Sequence, residues 1–172
     1  GLDFYNIDRH LDDDERMVRD MVRGWVEDRV IPVIEDHCRA GTFPNDLIPE
    51  IAELGLLGMT LPEKYGCAEM SYTAYGLACQ ELERGDSGIR SFVSVQGSLV
   101  MFPIFEHGTE AHRQKYLPGL ASGELIGCFG LTEPDFGSNP GGMITRAVDD
   151  GDSYVLNGAK MWITNAPFAD VA

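Results

Sequence analysis

The hydrophobic pattern of this chain changes period near Gly123, and that break decides which folds are open to it. Before it, apolar residues recur at three- and four-residue spacing. Met17, Val18, Met21, Val22, Trp25 and Val26 form one such stripe, the buried face of an amphipathic helix. The acidic residues at 12–15 suit its N-terminus, where free N–H groups and the helix dipole favour negative charge. Pro32 is predicted to end or kink this helix, with a continuation over 34–38. A second helix is predicted from Asn45 through Leu54, and a third from a Ser71 cap through Leu82. The sharp turn Gly85-Asp-Ser-Gly88 precedes a fourth helix over 89–105, apolar nearly all round and so expected at the centre of the fold. A fifth, begun by Thr109 and Glu110, is expected to stop at Pro118-Gly119.

After Gly123 the pattern is short and extended. Residues 126–131 are an apolar run, and 143–148, 153–156 and 160–164 read as strands. Asp149-Asp-Gly-Asp152 is a turn, and Asn157-Gly158 a hairpin signal. The expected fold class is therefore α+β: an all-α domain over 1–122, then part of a β-domain over 123–172. Strands that end so soon would leave open sheet edges, so further chain is expected in nature.

Composition excludes several classes. The 172 residues are 44% apolar, enough for a buried core. A net charge of -15, from 28 acidic and 13 basic residues, repels nucleic-acid phosphates and anionic lipid. Cys38, Cys67, Cys79 and Cys128 lack metal-ligand spacing and imply neither a metal site nor disulfides. No run of eighteen apolar residues is present, so no membrane span is expected.

Chemistry concentrates in Gly127-Cys-Phe-Gly-Leu-Thr-Glu-Pro-Asp-Phe-Gly-Ser138 and Gly158-Ala-Lys-Met-Trp-Ile-Thr-Asn165. Pro134 stiffens the first segment and Gly137 permits close backbone approach. Thr132, Ser138 and Thr164 supply hydroxyls, and Trp162 a large flat face. The residues alone fit either a site for an aromatic cofactor or a β-turn beside a core Trp. No dinucleotide fingerprint or phosphate-binding lysine loop is present. Arg90 poses a second question. A cation in an apolar helix needs a partner, because an unpaired buried charge is costly. Glu83 is one candidate, and a carboxylate on a ligand, bound by the guanidinium fork, is another.

These segments resemble the flavin-binding signature of the acyl-CoA dehydrogenase family. Gly55-Leu-Leu-Gly58, Pro62-Glu-Lys-Tyr-Gly66, Gly108-Thr-Glu-Ala-His-Arg-Gln-Lys-Tyr-Leu-Pro118 and Ala121-Ser-Gly-Glu124 are similar to the same family in order and spacing. The resemblance implies an all-α N-terminal domain, a β-barrel-like antiparallel middle domain begun here, and a C-terminal helical domain lying beyond. It implies FAD as cofactor, with Phe129, Leu131, Thr132, Gly137, Ser138, Trp162, Ile163 and Thr164 at its site. Leu131 and Thr132 would bond the flavin's pyrimidine edge. Trp162, Ile163 and Thr164 would pack on the ring, and Ser138 would meet the thioester arm. Asn139 stands where the family commonly has Asp, and Gly141-Gly142 where a pair with Ser is more usual.

The run from Glu81 to Gln96 further resembles the glutaryl-CoA dehydrogenase subgroup, in which the counterparts of Glu83, Arg90, Ser91 and Ser94 hold the distal carboxylate. Gly85 and Ile89 differ from the bulkier residues often found beside that Arg. The implied reaction is α,β-dehydrogenation of an acyl-CoA, with glutaryl-CoA oxidised and decarboxylated to crotonyl-CoA. Electrons would pass to an electron-transfer flavoprotein, the assembly would be a homotetramer, and the compartment a bacterial cytoplasm or mitochondrial matrix. The catalytic base would lie beyond Ala172; Glu133, beside Thr132, reads instead as a turn-stabilising carboxylate. The competing readings are a dehydrogenase or oxidase of other acyl preference, and a non-catalytic helical binding module.

Overall fold

The computed structural model describes residues 4–172. Helix α1 (Asp13–Trp25) opens on a capping box. The Asp12 carboxylate accepts the Glu15 N–H at 2.8 Å, and the Glu15 carboxylate accepts the Asp12 N–H at 3.2 Å. The helix does not stop before Pro32. It widens into a π-helical stretch, Val26–Val30, and continues as α2 (Ile31–Ala40) with Pro32 in the first turn of the new register. A proline there forfeits little, because its missing N–H falls where the bonding pattern restarts. A 3₁₀ turn, Asn45–Leu47, leads into α3 (Ile48–Glu53). Helix α4 (Tyr72–Gly85) is capped by the Ser71 hydroxyl, which accepts the Ala74 N–H at 3.0 Å.

Asp86 closes α4 and caps α5 (Ser87–Ser94) by accepting the Ile89 N–H at 2.8 Å. A second π-helical stretch, Val95–Met101, joins α5 to α6 (Phe102–His107), making one rod, Ser87–His107. By length and mean hydropathy this rod could cross a membrane, although its longest uninterrupted apolar run, 99–105, is far shorter than a span. Its Ile89, Phe92, Val93, Gln96 and Met101 are buried in the helical core. The rod is central, as expected, although Ser98, Leu99 and Phe102 face outward. Helix α7 (Glu110–Ala121) runs through Pro118 rather than ending there. Proline lacks only the donor, and its carbonyl still accepts the Ser122 N–H at 3.0 Å.

Helix α1 packs on α4, and α4 on α5. Val18, Val22, Val26 and Val30 meet Ala74, Ala78, Leu82, Ile89 and Phe92 in one core. Tyr65, Val100, Met101, Leu117 and Leu120 form another around the far end of the rod. Each Val, Leu, Ile, Phe or Met among them contributes about 1.5–3 kcal/mol when fully buried.

The β-region is smaller than its pattern suggests. β1 (Arg146–Asp149) pairs antiparallel with β2 (Tyr154–Asn157), Ala147 opposite Leu156, through the turn expected at 149–152. The third expected strand, 160–164, does not form, and Asn157-Gly158 is not a hairpin turn. This segment instead returns to the 127–133 loop, where the Met161 N–H donates to the Thr132 carbonyl at 2.9 Å. Residues 126–131 form no strand beyond an isolated bridge between Gly127 and Val171. A return to a loop satisfies the backbone as well as a strand would, and local pattern cannot tell the two apart.

Candidate functional site

The 127–133 loop and the 160–165 segment meet over the rod between Ser87 and His107. Together they enclose a groove of about 220 Å³ lined by Val95, Leu99, Phe129, Leu131, Thr132, Trp162, Ile163 and Thr164. One wall is helical, with Val95 and Leu99 four residues apart and therefore on one face. The π-helical stretch presents this face, a geometry that recurs at functional positions. The opposite walls are irregular, and their apolar side chains are open to solvent. Phe129 and Leu131 are exposed, and Trp162 is 85% exposed. Trp162 also holds a left-handed backbone, φ 60°, which is uncommon for a bulky residue and marks a position the surroundings must enforce.

Glu133 ties these walls together. It is buried, and its main chain exchanges hydrogen bonds with Phe136 in a tight turn. Its carboxylate accepts the N–H groups of Ile144 at 2.8 Å and Thr145 at 3.0 Å, and pairs with the Lys160 ammonium at 2.9 Å. The neighbouring Thr145 side chain, these N–H groups and Lys160 outweigh burial and hold the carboxyl at about 2, well below its usual range. The Thr145 hydroxyl itself falls outside hydrogen-bonding geometry. Lys160 also donates to the Leu131 carbonyl at 3.0 Å, so one ammonium spans both walls. Glu133 thus braces the turn, as its place in the sequence suggested, and is committed to three donors.

A second cluster lies where α4 meets α5, with Arg90 and Ser91 one to two turns before Val95. Arg90 donates through Nε to Glu83 at 2.7 Å and through Nη1 to the Ser94 hydroxyl at 3.2 Å. The Ser94 hydroxyl in turn donates to the Ser91 carbonyl at 3.2 Å, and Ser87 donates to Glu83 at 2.5 Å. The Glu83 carboxylate raises the Arg90 guanidinium, and Arg90, with Ser87, lowers Glu83. Neither is deeply buried, so Arg90 is paired and still reachable.

Of the residues named from sequence, Phe129, Leu131, Thr132, Trp162, Ile163 and Thr164 share one groove, and Glu83, Arg90, Ser91 and Ser94 share one helix corner. Gly137 and Ser138 lie outside the groove on the exposed loop after the Glu133 turn. Val95 and Leu99 escaped the sequence reading; their four-residue spacing was visible, but not which face the β-region would cover. Among the described residues, no cluster of His, Cys, Asp or Glu could hold a metal ion.

The acyl-CoA dehydrogenase N-terminal domain matches residues 12–124, and the acyl-CoA dehydrogenase middle domain matches 128–172. A probable acyl-CoA dehydrogenase of Bacillus subtilis is 40% identical over 161 residues, covering 92% of this chain and 42% of that protein. A glutaryl-CoA dehydrogenase from Mycobacterium smegmatis, solved with FADH2, superposes with a TM-score of 0.94 at 55% identity. It covers 98% of this chain and 44% of that one. A chain in a structure of the electron transferring flavoprotein of Acidaminococcus fermentans superposes with a TM-score of 0.88 at 38% identity, covering 98% and 43%. The chain spans less than half the length of each. Two matching domains in order, on a helical fold with the expected groove, establish that the chain belongs to the acyl-CoA dehydrogenase family.

Proposed function

We propose that this chain forms the first wall of the flavin site and the acyl-end clamp of an FAD-dependent acyl-CoA dehydrogenase acting on glutaryl-CoA. The carrying observation is the Arg90 guanidinium on the rod whose next turns line the groove, braced by Ser94 from the same rod and by Glu83 from α4. Glu83 engages Nε and Ser94 one Nη1 proton, which leaves Nη2 and the second Nη1 proton to grip a distal carboxylate, a fit that favours a dicarboxylic acyl chain over a simple one. From Arg90 to Val95 the helix rises roughly 8 Å, a span suited to a short diacyl group. The 55% identity to the M. smegmatis enzyme supports the same substrate.

The groove fits a flat ring. Its exposed apolar walls would be covered by one, and the Thr132 hydroxyl and the main chain at Leu131 would meet the polar edge. Trp162 and Ile163 would pack against the ring and exclude water, and Ser138, on its exposed loop, would meet the thioester arm. FAD would supply the acceptor for the β-hydrogen, and the chain beyond Ala172 the base. Electron-transfer flavoprotein is the proposed acceptor, and a homotetramer the assembly. The helical domain is taken as 1–122 and the partial middle domain as 123–172.

The test uses a protein that carries this sequence through its C-terminal helical domain. It should purify with FAD and be bleached by glutaryl-CoA. Arg90→Gln should raise KM for glutaryl-CoA by roughly 10- to 100-fold, the worth of a charge-assisted hydrogen bond, and leave butyryl-CoA little changed. Equal effects on both substrates would refute the clamp.

A further inference from the structure

Gln96 is fully buried in a rod otherwise lined by apolar core residues, and every polar atom of its amide is used. Its Nε2 donates to the carbonyls of Leu120 at 2.9 Å and Leu125 at 2.8 Å. Its Oε1 accepts the Gly127 N–H at 2.8 Å. The Gly127 carbonyl accepts from the buried Asn165 Nδ2 at 3.2 Å. The three walls of the groove therefore converge on one glycine. Gln96 sits between Val95 and Leu99 on the helical wall. Gly127 begins the loop that carries Phe129, Leu131 and Thr132. Asn165 ends the segment that carries Trp162, Ile163 and Thr164. Packing enforces the same meeting point, because a Cβ at Gly127 would lie 2.3 Å from Val100 Cγ1, one helical turn after Gln96. The burial cost of this amide is repaid only while all its bonds form, so it selects one relative placement of rod and loops.

We infer that Gln96 is a positioning residue: through Gly127 and Asn165 it sets the separation of the groove walls, and with it the seat of the flat ring. The inference deepens the flavin-site reading above and rests on it for its functional meaning. It touches no reacting atom itself.

The test reads the groove in the flavin-free form of the longer protein that carries this sequence, so a negative result here and a failure to find FAD remain separate outcomes. Gln96→Met keeps the volume and removes every bond. Gln96→Glu keeps an acceptor for Gly127 and places an acid in a buried site. Positioning through Gly127 requires the Gly127, Leu131 and Met161 amides to exchange roughly tenfold faster in Gln96→Met, about one hydrogen bond's worth. The shift in Gln96→Glu should be smaller, with the hairpin 146–157 unchanged in both. A merely structural role gives the reverse order, because the buried acid destabilises more, and leaves the groove amides moving only with global unfolding. That order would overturn the inference. Should either variant fail to fold, native-state exchange of the unmodified chain decides. A common opening for Gly127, Leu131 and Met161 supports the coupling, and independent opening of Leu131 overturns it.

Discussion

Gly76 and Gly85 lie in the same helix, α4, yet Ala substitution should act on them in opposite directions. At Gly76 an added Cβ meets nothing within 4 Å and the site is exposed. Helix propensity alone then operates, so Gly76→Ala should stabilise by about 1 kcal/mol. At Gly85 the same Cβ would lie 2.6 Å from Val26 Cγ1 and 3.2 Å from Val30 Cγ1. Those valines belong to the π-helical stretch, are fully buried, and are stiff at χ1, so they have little freedom to yield. Overpacking of this kind costs about 1–3 kcal/mol. The propensity gain is small at a helix's last residue, so the net loss should be about 1–2 kcal/mol. For a chain of this size that is a fall in Tm of about 2–8 °C for Gly85→Ala and a rise of about 2–4 °C for Gly76→Ala. Urea and thermal unfolding of the two variants beside the parent would measure both. A Gly85→Ala chain as stable as Gly76→Ala would refute the packing argument. The same contact explains why no bulkier residue stands at Gly85 beside the corner that carries Glu83 and Arg90.

Other outcomes follow from the ion pairs and aromatic contacts. The Glu133 carboxyl is depressed to about 2 in the fold, so its contribution is present above its ordinary value near 4.5 and is lost as pH falls towards 2. Glu133→Gln should therefore lower stability at neutral pH and flatten the acid limb, measured as the denaturation midpoint against pH; an unchanged acid limb would count against the brace. Glu50, held at about 2 by Arg29 and then the Trp25 indole, titrates in the same window, so some acid sensitivity should survive in that variant. Phe168 stacks on Phe43 at 5.7 Å and lies 6.4 Å from Phe92, fastening the end of the Trp162 segment to the helical core. Phe168→Ala should cost about 2 kcal/mol and loosen Trp162, seen as altered indole fluorescence before global unfolding.

Where the sequence is locally sufficient, it was legible. Asp12, Ser71, Asp86 and Thr109 cap helices because capping needs only a side chain within three residues of a free N–H. The valine stripe of α1 and the turn at 149–152 follow from spacing in the same way. Pro118 misled, because its cost depends on what the next turn can still bond, whereas at Pro32 the expected continuation forms after a π-helical break. The strand expected at 160–164 misled because alternation does not say which backbone will be the partner. For the candidate site, Leu131, Thr132 and the Trp162-Ile-Thr triplet stood out by composition, whereas Val95 and Leu99 look like ordinary core residues, and Gln96 like a surface amide, until the loops are seen against them.

The sequence by itself determined the helices, their caps, the change of architecture near Gly123 and the kinship of the chain, all carried by residues close together along the backbone. Only the tertiary structure decided that Glu83 engages Arg90 through Nε, that Ile144, Thr145 and Lys160 are the partners Glu133 braces, and that Gln96, Gly127 and Asn165 bring three distant segments to one point. Those outcomes depend on which buried donor meets which acceptor, and that choice is made by packing across long stretches of chain, where each unpaired group is costly.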